Sequence, residues 1–217
     1  MDFFMKTIGS SNLSSGRIDS FLYGIEDKYK PALFSRALIL NCLTIHYEQL
    51  WRESWMNSYR DEQWSLADNR LKPFDALGPS WNHNTPLRGA FERRMALLEI
   101  DVIAAQALGL TLTDLLSVYD VQFPVFRINE DDTWYDKSGK IVFTCSKGLV
   151  GVGVDRTTWK RIKGMKEGEE YVHTIDSKKS ELYGGQQVTY YAPFTKCDRV
   201  EDYKRAWAFF EKRFNNE

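Results

Sequence analysis

The densest group of residues able to do chemistry runs from Arg156 to Lys166. Arg156, Lys160, Arg161, Lys163 and Lys166 come with no acid among them and with Trp159 in their midst. Cations at this density can neutralise a phosphate backbone, and an interleaved indole offers a face on which a base can stack. Lys147, on the glycine-rich stretch just before, joins the candidate set. The plainer reading is a solvated face balanced by Glu167, Glu169 and Glu170 immediately downstream.

The other constellations are weaker. Residues 101–120 have the spacing of a helix-turn-helix, with Ala104, Leu108, Leu110, Leu115 and Val118 at apolar positions and Gly109 at the turn. A DNA-reading helix needs basic or amide side chains at its start. This one begins Thr111, Thr113, Asp114, and no Lys or Arg occurs between Arg94 and Arg127. A plain helical hairpin is the better reading. The stretch Ser146–Gly153 lacks the Gly-Lys-Ser/Thr ending of a phosphate-binding loop, so its glycines are read as places where backbone passes close to backbone. Glu99 and Asp101 lie in the most apolar part of a helix, where a carboxylate needs a partner. Arg88, Arg93 and Arg94 are the nearest in sequence. Asp19 with Glu26, Asp27 and Lys28 loosely echoes a nuclease pattern, but on a segment that reads as helix. His46, His83 and His173 are isolated, and no Cys or His pair has zinc spacing, so neither a metal nor a cofactor is expected.

The elements that must position these residues follow from periodicity. Leu33, Ala37, Leu40, Thr44, Tyr47 and Trp51 predict one helix from Pro31 to Trp55. Residues 57–85 lose periodicity while holding Trp64, Phe74 and Trp81, which suggests a functional connection, elements the pattern hides, or, in a fragment of something larger, a docking surface; the apolar start Met1–Ile8 is a further docking candidate. A helix capped at Asn84 or Thr85 carries Leu87, Phe91, Met95, Leu98, Val102 and Ala105 on one face and stops at Gly109. Thr111 and Asp114 start a second helix, Leu112–Tyr119. Val121–Ile128 is β-rich and predicts a strand, with Pro124 at an edge or bulge. Thr133–Tyr135 and Ile141–Thr144 flank a hairpin turn, Tyr171–Ile175 and Gln187–Ala192 are further strands, and Asp198 caps a closing helix. The fold class is α+β: an N-terminal helical part, a central helical hairpin, a small antiparallel sheet and a C-terminal helix. Residues 1–120 form the helical part and 121–217 the sheet with its helix, together one compact unit.

Composition narrows the function classes. The chain has 217 residues, 43% hydrophobic and 27% charged, with a net charge of −1, so no global basic field marks it as a nucleic-acid or anionic-membrane protein. Aromatics reach 14%, with seven Trp, and core packing is the first explanation. Cys42, Cys145 and Cys197 are odd in number and scattered, which suits reduced thiols in the cytoplasm. No apolar run is long enough for a membrane span.

Three strings carry a family resemblance: PLRGAFERRMALLEIDVIAAQALGLTLTDLLSVYDVQFPVFR, then DDTWYDKSGKIVFTCSKGLVGVG, and near the end YYAPFTKCDRVEDYKRAWAFF. They resemble the C-terminal region of large bacterial class I S-adenosylmethionine-dependent DNA (adenine) methyltransferases from phage-defence systems of the DISARM and restriction–modification kind. The resemblance covers residues 86–153 and 190–210. Such enzymes need a glycine-rich cofactor loop and an Asn-Pro-Pro-Tyr-type motif for the flipped base, and this sequence has neither. It therefore resembles the tail of such an enzyme, and no catalytic residue carries over. The resemblance implies a non-catalytic accessory or DNA-contacting part, not an enzyme on its own, whose partners are a larger methyltransferase or defence-complex subunit and DNA. The alternatives are a small nuclease or hydrolase effector with a carboxylate site, and a pure protein-interaction module.

Overall fold

A computed structural model describes residues 25–145, 152–178 and 180–215. Among them are seven α-helices and five short strands: α1 (Lys30–Asn41), α2 (Glu48–Glu53), α3 (Ala90–Ala107), α4 (Leu112–Gln122), α5 (Pro124–Asp131), β1 (Trp134–Tyr135), β2 (Ile141–Phe143), α6 (Arg156–Ile162), β3 (Glu170–Thr174), β4 (Gln187–Tyr191), β5 (Thr195–Lys196) and α7 (Arg199–Asn215). The architecture is α+β. The strands make two antiparallel sheets rather than one, β2-β1-β5 and β3-β4.

Helix α3 is the axis of the molecule because it is apolar on more than one side. Its Met95, Leu98 and Val102 join Tyr203, Ala206, Phe210 and Phe214 of α7 and Leu115 and Tyr119 of α4 in one core cluster. Ala96 joins Leu38, Ile39 and Leu40 of α1, together with Trp51, Tyr59, Phe74 and Leu77, in a second. A third cluster lies under the sheets, where Val142, Phe143 and Tyr190 meet Trp159 and Ile162 of α6. The expected division at residue 120 falls within α4, and α7 packs back onto α3 across it.

Several expectations hold. Gly109 takes φ +71° and stops α3. The Thr111 hydroxyl accepts from Asp114 N–H at 3.2 Å while Asp114 accepts from Thr111 N–H at 2.9 Å, a complete capping box. The β1–β2 hairpin forms in the expected place, with Trp134 opposite Phe143. Asp198 caps α7 by accepting from Val200 and Glu201 N–H.

Others are corrected. The helix predicted over Pro31–Trp55 breaks after Asn41. The carbonyls at its end go to side chains arriving from elsewhere: Arg93 donates to Leu40 O at 2.9 Å, Trp81 to Cys42 O at 2.7 Å and Arg88 to Leu43 O at 2.9 Å. Helix α3 starts at Ala90, later than the Asn84/Thr85 cap would place it. There Glu92 reaches back to accept from Arg88 and Gly89 N–H, both at 2.7 Å. Gly89 has no side chain to complete the reciprocal half of that cap. The predicted strand Val121–Ile128 is helical instead: α4 continues to Gln122, and Pro124 occupies the first turn of α5, where its missing N–H costs nothing.

The tryptophan-rich stretch 57–85 turns inward, so it does not offer the docking surface expected of it. Tyr59, Leu71, Phe74 and Leu77 are buried. Trp64 donates to Lys72 O at 2.7 Å, and Trp51 donates to Gly78 O at 2.9 Å, tying the stretch to the helices. Met1–Ile8 and Asp19 lie outside the described residues.

Candidate nucleic-acid interface

The basic cluster is displayed by α6, and the chain forms that helix for local reasons. Asp155 caps it, its carboxylate accepting from Thr157 and Thr158 N–H at 2.9 and 3.0 Å. The Thr158 N–H and hydroxyl lead in holding that carboxyl below its ordinary value. Just upstream, Gly153 has φ +75°, and a Cβ there would lie 2.8 Å from Val142 O. Val154 N–H donates to the same carbonyl at 2.7 Å, and Gly153 N–H donates to the Tyr190 hydroxyl at 3.1 Å. A glycine lets backbone pass close to backbone here, as the sequence suggested for this stretch.

The helix has two sides. Trp159 and Ile162, three residues apart, point into the third cluster. Trp159 stacks on Phe143 with ring centroids 5.4 Å apart and planes within 4°, and it also meets Trp134 and Phe194. This corrects its expected role: at 6% exposure, Trp159 has no face left on which a base could stack. Its work is to anchor α6.

On the other side, Arg156, Lys160 and Lys163 recur at four- and three-residue steps and are all exposed, as are Arg161 and Lys166. Arg156 lies over the Phe143 ring at 5.0 Å and pairs with Asp132 at 2.9 Å. Arg161 donates to the Tyr171 hydroxyl at 3.3 Å. Lys160, Lys163 and Lys166 make no salt bridge among the described residues, so their ammonium groups are free for an anion. Glu169 is drawn back by accepting from Lys166 N–H, and Glu167 pairs with Lys137 at 2.8 Å. The acids therefore follow the cations in the chain without separating them. Lys147 lies outside the described residues.

The face holds charge but no acid–base pair. Buried Asp136 accepts from Ser138, Lys140 and Tyr191 N–H in the β1–β2 turn, and the buried glutamates with Asp202 sit in two ionic centres that structure rather than chemistry explains. In the first, Arg36 donates to Glu99 at 2.6 Å and to Glu62 at 3.0 Å, and Arg213 closes on Glu62 at 2.7 Å. In the second, Glu130 accepts from Arg94 at 2.6 Å and from Arg199 at 2.5 Å, while Arg94 also donates to Asp202 at 2.7 Å and Tyr203 donates to Asp101 at 2.8 Å. The expectation of structural ion pairs for Glu99 and Asp101 holds, but their partners are Arg36 and Arg199, not the neighbouring arginines of α3. Of the nuclease-like residues, Glu26 pairs with Lys28 and Asp27 with Lys30.

Two surface depressions lie apart from α6. One, of about 310 Å³, is lined by Lys137, Ser138, Gly168, Glu169, Tyr191 and Ala192. The other, of about 630 Å³, lies along 60–75 beside Glu62 and Trp64. No histidine or cysteine lines either, and the Ser138 hydroxyl in the first is engaged as a donor to Asp136 at 2.8 Å. Comparison with protein-family models, with curated proteins and with solved structures finds no match to this chain.

Proposed function

We propose that this chain is a non-catalytic, DNA-contacting accessory part of a DNA-methyltransferase-type phage-defence system, working in the cytoplasm beside a larger methyltransferase or defence-complex subunit. Its resemblance to the tail of those enzymes supplies the context, and α6 supplies the contact. The observation that carries the reading is the exposed row Arg156, Lys160 and Lys163, backed by Lys166 and held rigid by buried Trp159 and Ile162. Cations on a pinned helix meet phosphates with little ordering cost, whereas the same side chains on a loose segment would lose that entropy on binding. Such contacts position a duplex without reading its sequence. No helix among the described residues is long and apolar enough to cross a membrane.

The test is duplex binding by fluorescence anisotropy across a salt series. The expected slope of log affinity against log salt corresponds to several phosphates. In the Lys160→Glu, Lys163→Glu, Lys166→Glu triple variant that slope should fall by roughly one for each phosphate that is no longer neutralised. All three residues are exposed, so circular dichroism should be unchanged. An affinity and slope equal to the parent's would end this reading.

A further inference from the structure

The β3–β4 pair is covered along one edge and open along the other. Glu169 O accepts from Ala192 N–H at 3.0 Å, and Ile175 N–H donates to Gln186 O at 2.9 Å. Those contacts bracket the ladder, whose register sets Tyr171 opposite Tyr190 and His173 opposite Val188. Hydrogen-bonded pairs alternate along an antiparallel strand, so Tyr171 and His173 direct their backbone groups at β4, and Glu170, Val172 and Thr174 turn theirs outward. No outward N–H or C=O of those three residues has a partner among the described residues. The far edge of β4 is occupied. Tyr191 N–H donates to Asp136 at 3.1 Å, Tyr191 O accepts from Lys137 N–H at 2.9 Å, and Thr189 O accepts from the Lys140 ammonium at 3.1 Å.

A bare edge is a template for another strand, and folded proteins guard such edges with proline, lysine or a bulge. Residues 170–174, EYVHT, contain none of these. The edge also fits itself. Laid antiparallel against a second copy and centred on Val172, it sets Val172 opposite its own copy and Glu170 opposite Thr174. Each of the three outward residues then gives one N–H and one C=O to the other strand. Centring on Tyr171 or His173 instead would leave Thr174 or Glu170 facing residues beyond the strand. Glu170 does not meet its own copy, so no like charges are opposed. Val172, 44% exposed, gains an apolar neighbour. Because the far edge of β4 is occupied, pairing closes at two copies and does not run on into a filament.

We propose that this chain pairs with a second copy of itself through β3, forming a two-fold dimer in which the two-stranded sheets join into one, ordered β4-β3-β3-β4. The axis stands perpendicular to that sheet, so the same face of each copy points the same way. Trp159 and Ile162 of α6 pack with Tyr171, Val188 and Tyr190, whose side chains share one face of the pair. Both α6 helices therefore lie on one side of the joined sheet. An edge this short buries little area, which makes the dimer dependent on concentration. The proposal does not rest on DNA contact by α6, because it uses backbone groups of β3 and none of the lysines.

Sedimentation equilibrium of the full chain from about 1 μM to about 1 mM should show a monomer–dimer equilibrium. Position 172 faces itself in the dimer. Val172→Lys and Val172→Glu should therefore each weaken self-association at least about fivefold by opposing like charges, and an equimolar mixture of the two should recover it. Val172 is exposed, so circular dichroism of both variants should match the parent's. Hydrogen exchange gives an independent readout. The amides of Glu170, Val172 and Thr174 should exchange freely in dilute protein and gain protection at high concentration, whereas those of Tyr171 and His173 should be protected in both. A parent that stays monomeric throughout would overturn the proposal. So would a dimer that both charged variants leave intact, a mixture no tighter than either variant alone, or exchange of the three amides that ignores concentration.

Discussion

Arg94 of α3 and Glu130 of α5 meet at 2.6 Å in the interior, and Arg199 of α7 reaches the other oxygen of the same carboxylate at 2.5 Å. One acid thus holds three helices together. Burial works against its charge, but the hydrogen bond from Arg199 and the charges of Arg94 and Arg199 prevail and hold the Glu130 carboxyl below the ordinary glutamate value. A depressed folded-state value contributes stability above the unfolded-state value of about 4.3, and that stability is lost as pH falls through the folded one. Glu130→Gln should therefore cost about 3 kcal/mol at neutral pH by leaving two buried guanidinium groups short of a partner. It should also flatten the fall in stability below about pH 4 that the parent shows. Urea denaturation at about pH 7 and at a series of lower pH values starting from about 4.3 measures both effects; a loss that does not shrink as the pH falls would contradict the assignment.

Arg36 makes a different demand, for shape as well as charge. Its guanidinium donates to Glu99, to Glu62, to Ala32 O and to Gln63 O, and it packs near the rings of Phe74 and Phe210. A lysine ammonium cannot reach that spread of acceptors. Arg36→Lys, though it conserves charge, should destabilise by about 3 kcal/mol and lower Tm by about 6–12 °C in calorimetry. A Tm within about 2 °C of the parent's would show that the fork geometry is dispensable.

Two glycines separate backbone strain from crowding. Gly109 and Gly153 both have left-handed φ, but a Cβ at Gly109 meets nothing within 4 Å, whereas at Gly153 it meets Val142 O at 2.8 Å. Gly109→Ala should cost about 1 kcal/mol. Gly153→Ala should cost at least about twice as much, since a backbone carbonyl must also move. Chemical denaturation of the pair decides; equal losses would mean that the β2 backbone yields easily.

Trp159 separates stacking from anchoring. If its ring supports α6 from within, Trp159→Phe should lower stability by about 1–3 kcal/mol while leaving DNA affinity at the parent's value below the unfolding transition. A large loss of affinity in a folded Trp159→Phe protein would return the indole to the binding face.

Much of the helical frame was legible in the sequence, because Met95, Leu98 and Val102 in α3 and Tyr203, Ala206 and Phe210 in α7 repeat at the helical period and are buried for that reason. Helix α5 was not. Val121, Val125 and Ile128 are β-branched and flank a proline, so they read as a strand. They face solvent, and no burial pattern exists to betray the helix. The lysines of the candidate interface were visible as composition, but the inward turn of Trp159 depends on α6 itself, which no expectation included. Asp155 followed by Thr157 and Thr158, with Trp159 and Ile162 three apart, was the available signal. The partners of Glu99 and Glu130 were beyond reach, because Arg36 and Arg199 lie 63 and 69 residues away in the chain.

Helix α7 supplies a cation to each of the two buried ionic centres. Glu62 and Glu130 complete their pairings only with Arg213 and Arg199, which the ribosome adds last among the described elements. At about 5–20 residues per second, the earlier helices spend several seconds outside the exit tunnel with acidic interiors still lacking these cations. A nascent chain halted before residue 199 should remain open to proteases, and the arrival of one amphipathic helix then closes both ionic centres together.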